Sequence, residues 1–116
     1  MKPLKPGSPA RDTKSGRPIM LLLDLLGRRM ALRILWELRG SDPLTFRALQ
    51  VAAATNPSVL NTRLAELRAA GIVAHDGDGY TLTDAGRDLL RRLLPLHEWA
   101  EEWCSPARKD VRGKRS

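Results

Sequence analysis

The chain has 116 residues, 42% of them hydrophobic, with one cysteine, a formal charge of +7 and a pI near 10.5. That length suits one domain with its own core, one cysteine excludes an intramolecular disulfide framework, and no apolar run approaches the ~18 residues of a membrane span. The charge points to a polyanionic partner, most simply nucleic acid.

Residues 1–18 carry Lys2, Lys5, Arg11, Lys14 and Arg17 against Asp12, with four prolines and two glycines. They are expected to form a disordered basic arm. Their interrupted composition is unlike a signal peptide, so a soluble cytoplasmic protein is expected. Residues 105–116 have the same character and are expected to be a second disordered basic tail. All five lysines lie in these two ends, whereas residues 19–103 hold ten arginines against eleven acids. The folded unit, expected over 19–104, is therefore nearly neutral. Any nucleic-acid binding there must come from particular side chains and not from bulk charge.

Pro18 suits the first turn of a helix. The stretch Ile19–Leu26 is apolar nearly all round, broken by Asp24, and such a helix must bury two faces. Its second face meets either the domain's own core or a second chain. Gly27 ends it. Arg28–Arg39 is predicted as the next helix, with Ala31, Ile34, Leu35 and Leu38 at the spacing of a buried stripe and Trp36 off it. There Arg28 and Arg29 would oppose the helix dipole, as expected of charge-bearing residues or of a simple solvated pair. After the turn Gly40–Pro43, Thr45 caps a short helix, Phe46–Ala53.

Asn56 and Pro57 then form a cap and first residue for a helix running to Ala70, with Gly71 as its stop. Leu60, Leu64 and Leu67 form its buried stripe, while Ser58, Asn61, Thr62, Ala65 and Glu66 fall on other faces. Ile72–His75 and Tyr80–Thr83 are predicted strands, and the intervening Asp76-Gly77-Asp78-Gly79 supplies the glycines of a tight hairpin. Thr83 caps a last helix bearing Leu89, Leu90, Leu93, Leu94 and Leu96. Pro95 should kink or split it, leaving Trp99 and Trp103 one turn apart in the remainder.

A short helix, a sharp turn and a longer polar-faced helix make a helix-turn-helix, whose second helix can enter the DNA major groove; the hairpin after it makes a winged form. The expected class is thus mainly α with a small β-hairpin. Ser58, Asn61 and Thr62 lie in the N-terminal half of the reading helix and can serve base edges. Arg63 can reach guanine or a phosphate, or act as a structural strut. The helix start and Arg47 are candidate phosphate contacts. Asp76 and Asp78 on the wing repel phosphates, which puts wing contact with DNA in doubt. His75 beside them is a pH-sensitive phosphate contact or a plain strand residue.

The segments LLGRRMALRILWEL (25–38), LTFRAL (44–49), NPSVLNTRLAELRAAGIV (56–73) and YTLTDAGRDLL (80–90) resemble the HxlR type of winged helix-turn-helix regulators, close to MarR-like proteins. Met30 stands where that family often has an aromatic residue. The resemblance implies a bacterial, sequence-specific double-stranded-DNA-binding transcriptional regulator. It implies a homodimer reading a pseudo-palindromic operator through residues 57–70, with the first and last helices as the dimer interface. The interface residues are then Leu22, Leu23, Leu26, Leu93, Leu96, Trp99 and Trp103. Redox-sensing members carry a cysteine near the first helix, and residues 14–20 contain none.

No Gly-rich phosphate loop, nucleophile elbow or HExxH occurs, so no enzyme and no cofactor are expected. His97, Glu101 and Cys104 share a helical face at metal-ligand spacing, but the neighbouring tryptophans argue for packing, and no metal is expected. Cys104 is expected to be a bystander, with an intersubunit bond across a dimer axis as the alternative. Leu93, Leu94, Leu96, Trp99 and Trp103 can rim a pocket for a small-molecule effector, or can be core or interface. The rival reading is a winged-helix protein–protein interaction module that uses the acidic wing and tryptophans. An RNA-binding winged helix is a third.

Overall fold

The computed structural model describes residues 17–106. Apart from residues 17–18 and 105–106, the basic arm and tail expected at the two ends lie outside the described residues. The element order is α1 (Pro18–Leu26), α2 (Ala31–Glu37), α3 (Phe46–Ala53), α4 (Pro57–Ala69), β1 (Val73–Asp76), β2 (Gly79–Leu82) and α5 (Asp84–Cys104). This is the mainly helical winged helix-turn-helix expected from the sequence.

Three helices start where a short polar side chain satisfies a backbone donor. Thr45 Oγ1 accepts from the Ala48 N–H at 3.1 Å, Asn56 Oδ1 from Val59 at 2.8 Å, and Thr83 Oγ1 from Gly86 at 3.0 Å. Each such cap stabilises its helix by about 1 kcal/mol relative to alanine. The leucines of α4 are spaced to fall on one side, and Leu60, Leu64 and Leu67 are all buried. They join Leu25, Ile34, Leu35, Leu38 and Leu49 from the other helices, and Ile72, Val73, Tyr80 and Leu82 from the hairpin, in one core.

Two boundaries differ from the sequence reading. α2 begins at Ala31, not Arg28, because Met30 adopts a left-handed conformation (φ 71°) that no α-helix accommodates. Arg28 and Arg29 therefore lie in the α1–α2 turn, and the opposition to a helix dipole disappears. α5 runs through Pro95 to Cys104 as one helix instead of splitting. Proline leaves the carbonyl four residues back, that of Arg91, without its N–H donor. Arg91 and Pro95 are both exposed, so water can serve that carbonyl.

β1 sits one residue later and β2 one residue earlier than expected, and they pair antiparallel, Val73 with Leu82 and Asp76 with Gly79. Leu44 adds a bridge to β2: its N–H donates to the Tyr80 carbonyl at 3.0 Å, and the Tyr80 N–H returns a bond at 2.7 Å. The left-handed glycine is Gly79 (φ 135°) and not Gly77, because a Cβ at 79 would lie 2.5 Å from the Leu44 oxygen. Gly86 serves a similar close approach, letting α5 pass against the Ile72 carbonyl. Thr83 closes the same corner by donating its hydroxyl to the Gly71 carbonyl at 2.6 Å.

Leu26, expected at an interface, packs into the core with 7% of its surface exposed. Leu22 and Leu93 are half-buried against that core.

Candidate nucleic-acid interface

α3 and α4 are joined by Ala54, Thr55 and Asn56. Ala54 takes the left-handed conformation (φ 53°) that redirects the chain sharply into α4. With the leucines of α4 buried, Ser58, Asn61, Thr62, Ala65 and Arg68 form an exposed stripe along the other side. The Thr62 hydroxyl donates back to the Ser58 carbonyl at 3.0 Å and keeps its lone pairs for an outside donor. The side chains of Ser58 and Asn61 make no hydrogen bond among the described residues, so the Asn61 amide can offer both donor and acceptor to an adenine edge.

The start of α4 offers less to phosphate than free helix ends usually do. Pro57 has no N–H and the Val59 N–H is taken by Asn56, which leaves the Ser58 N–H as the open donor of those three positions.

The arginines divide sharply. Arg63 turns away from the exposed stripe: its Nη1 donates to Glu66 Oε1 at 2.6 Å and its Nε to the Arg29 carbonyl at 2.8 Å, with 18% of the side chain exposed. These contacts are those of the strut that the sequence left as an alternative to a base or phosphate contact. Arg28 Nη1 donates to the other oxygen of Glu66 at 2.7 Å, and its Nη2 to Asp24 Oδ2 at 2.9 Å. Arg33 bonds Glu37 and the Ala52 carbonyl, and Arg39 lies over the Trp36 ring at 4.2 Å. Hydrogen bonds from Arg91 and then Arg92 hold the Asp88 carboxyl below the usual carboxylate range.

By contrast, Arg29, Arg47 and Arg68 are exposed, and their side chains make no hydrogen bond or ion pair among the described residues. Arg68 was missed from the sequence. Extending the Ser58–Asn61–Ala65 spacing by one further step of three would have found it.

The wing stays acidic. Asp76 and Asp78 are exposed, and the Asp78 N–H donates to Asp76 Oδ1 at 2.8 Å. His75 stacks on Tyr80 with ring centroids 4.1 Å apart, as a strand residue does on its cross-strand neighbour.

Away from the α4 stripe, large apolar side chains remain uncovered. Leu23 on α1 is 53% exposed, and Leu96, Trp99 and Trp103 on α5 are 59%, 51% and 46% exposed. Ile19, Met20 and Leu32 are exposed as well. An apolar groove of about 390 Å³ runs between α2 and α5, lined by residues including Leu32, Trp36, Leu93, Leu94, Leu96 and His97. Trp99 and Trp103 do not line it and stack on each other at 5.8 Å. His97 stacks on Trp36 at 5.4 Å. Among the described residues no cluster of His, Cys, Asp or Glu could hold a metal ion, and no helix is long and apolar enough to cross a membrane. Cys104 is an exposed free thiol.

A family model described as HxlR-like helix-turn-helix matches residues 25–108. Among solved structures, the chain is similar to the crystal structure of quinone-bound YodB from B. subtilis. The TM-score is 0.67 and the identity 27%, over 72% of this chain and 96% of that one. No curated protein matches the chain's sequence.

Proposed function

The chain belongs to the HxlR-like helix-turn-helix family, whose members are DNA-binding transcriptional regulators and not enzymes, and on that premise we propose that it reads a pseudo-palindromic operator as a homodimer. One observation carries the reading: α4 buries its leucines and presents Ser58, Asn61 and Thr62 outward, with the Ser58 and Asn61 side chains unbonded, at the end of the helix that enters the groove. Arg47 and Arg29 contact phosphates on either side, and Arg68 extends the same stripe by about 10 Å beyond Asn61, at 1.5 Å per residue. The work is done in the cytoplasm, where the DNA is.

The dimer is supported by the large apolar side chains that α1 and α5 leave exposed, a usual mark of an interaction surface. Leu23, Leu96, Trp99 and Trp103 form its centre, with Leu22 and Leu93 at its margin. Two copies would set their reading helices about 34–36 Å apart, one DNA turn. A small-molecule effector fits the same reading, since YodB was solved with quinone bound and the α2–α5 groove is of ligand size. The lysines and arginines of 1–18 and 105–116 add sequence-independent affinity through counterion release, so a chain cut to 17–106 should show a flatter dependence of log K on log salt.

The test is fluorescence anisotropy at two salt concentrations, with the duplex the chain selects from a randomised pool and a scrambled duplex of the same composition. Light scattering accompanies it. The reading expects a dimer at micromolar concentration and a clear preference for the selected duplex. A monomer overturns the homodimer, and equal binding to both duplexes overturns the operator.

A further inference from the structure

Glu66 holds two arginines at once, one on each carboxylate oxygen. Oε1 accepts from Arg63 on its own helix, and Oε2 from Arg28 in the α1–α2 turn, thirty-eight positions away in sequence. Arg28 also reaches Asp24 on α1, and Arg63 also reaches the Arg29 carbonyl. The chain of contacts thus closes a ring between α1, the turn after it and the reading helix. The cluster holds two guanidiniums and two carboxylates, so it adds no net charge to the DNA-facing side. Glu66 keeps 27% of its side chain exposed and each arginine 18%.

Partly buried ion networks of this kind are poor stabilisers compared with apolar packing, because the desolvation they require offsets much of their attraction. Their value lies in geometry. Two features bear on DNA reading. First, Arg63 directly follows Thr62, so once released it would add a cation beside the reading face. Second, a bidentate base contact needs the helix held at a fixed angle, and the Arg28–Glu66 pair is a side-chain tie between α4 and the segment that follows α1.

We propose that Glu66 is a specificity-determining positioning residue, which fixes the reading helix against the α1–α2 turn and withholds Arg63 from phosphates. This rests on α4 being the DNA-reading helix. Loss of the Glu66 charge has two separable consequences. The helix loses its tie, so discrimination between sequences falls. Arg63 becomes available to any duplex while Arg28 stays on Asp24, so sequence-independent binding rises and grows steeper in salt.

The experiment uses the full chain with the selected and scrambled duplexes described above. Glu66→Gln is expected to lower the ratio of the two affinities about tenfold, the scale of one lost bidentate base contact. It should also tighten scrambled-duplex binding and steepen its salt slope by about 0.9 for each phosphate gained. Arg28→Gln breaks the tie but leaves Arg63 held, so it should lower the ratio with the slope unchanged. The double variant Glu66→Gln with Arg63→Gln should return the slope towards the wild-type value without restoring the ratio.

Wild-type ratio and slope in both single variants overturn the proposal. So does a proportional loss of binding to both duplexes alongside a lower melting temperature, which is the signature of a merely structural residue. If Glu66→Gln does not fold, the Arg28→Gln ratio alone decides in the same way. A wild-type chain that binds both duplexes equally overturns the underlying DNA reading instead, and is recognised before any variant is made.

Discussion

The Nε of Arg63 donates to the carbonyl oxygen of Arg29 at 2.8 Å, joining the reading helix to a turn thirty-four positions earlier. With its other branch on Glu66, this arginine is spent inside the protein. Arg63→Ala should therefore cost about 2 kcal/mol of stability, the worth of hydrogen bonds to a charged group, in a urea melt. Its salt slope on a scrambled duplex should match the wild type. A slope lower by about 0.9, the mark of one lost phosphate contact, would show the side chain on DNA instead.

Gly86 is required by space. A Cβ there would sit 2.2 Å from the Ile72 carbonyl oxygen, a backbone atom that cannot step aside. Gly86→Ala should destabilise by about 3 kcal/mol, the upper part of the usual overpacking range, with β1 and α5 forced apart. Gly77→Ala is the control, because nothing lies within 4 Å of its added methyl. Thermal melts of the two should differ clearly; similar melts would mean that α5 and β1 do not approach so closely.

Ala54 holds a left-handed backbone (φ 53°) at an exposed position between α3 and α4. That conformation costs an L-residue roughly 1–2 kcal/mol, while glycine returns part of the gain as unfolded-state entropy. Ala54→Gly should raise stability by a net amount of about 0.5–1 kcal/mol, or a few degrees in Tm for a domain this size. An unchanged or lower Tm contradicts the assigned turn.

What was legible in the sequence was local. Thr45, Asn56 and Thr83 were readable as caps because each bonds an N–H three residues ahead. The leucine stripe of α4 was readable because a helix repeats every 3.6 residues. What was not legible depended on contacts distant in sequence. The early start given to α2 ignored Met30, whose left-handed backbone belongs to a turn pinned by Arg28 to Glu66. Arg63 showed two equal futures until Arg29 was placed beside it. The α2–α5 groove was not legible because it depends on Trp36 lying against His97, sixty-one positions later in the sequence. Pro95 does not split α5, which continues through it on an exposed stretch where water can reach the Arg91 carbonyl.

The most direct test of the central claim, that the outward polar face of α4 chooses the sequence, is the affinity ratio between the selected and scrambled duplexes for the double variant Asn61→Ala with Thr62→Ala. Both side chains are exposed, so the fold should be kept. The ratio should fall by about tenfold or more, the scale of losing a bidentate base contact, while scrambled-duplex affinity stays at the wild-type level. A double variant that keeps the wild-type ratio would contradict the account, because the sequence would then be read by another part of the protein.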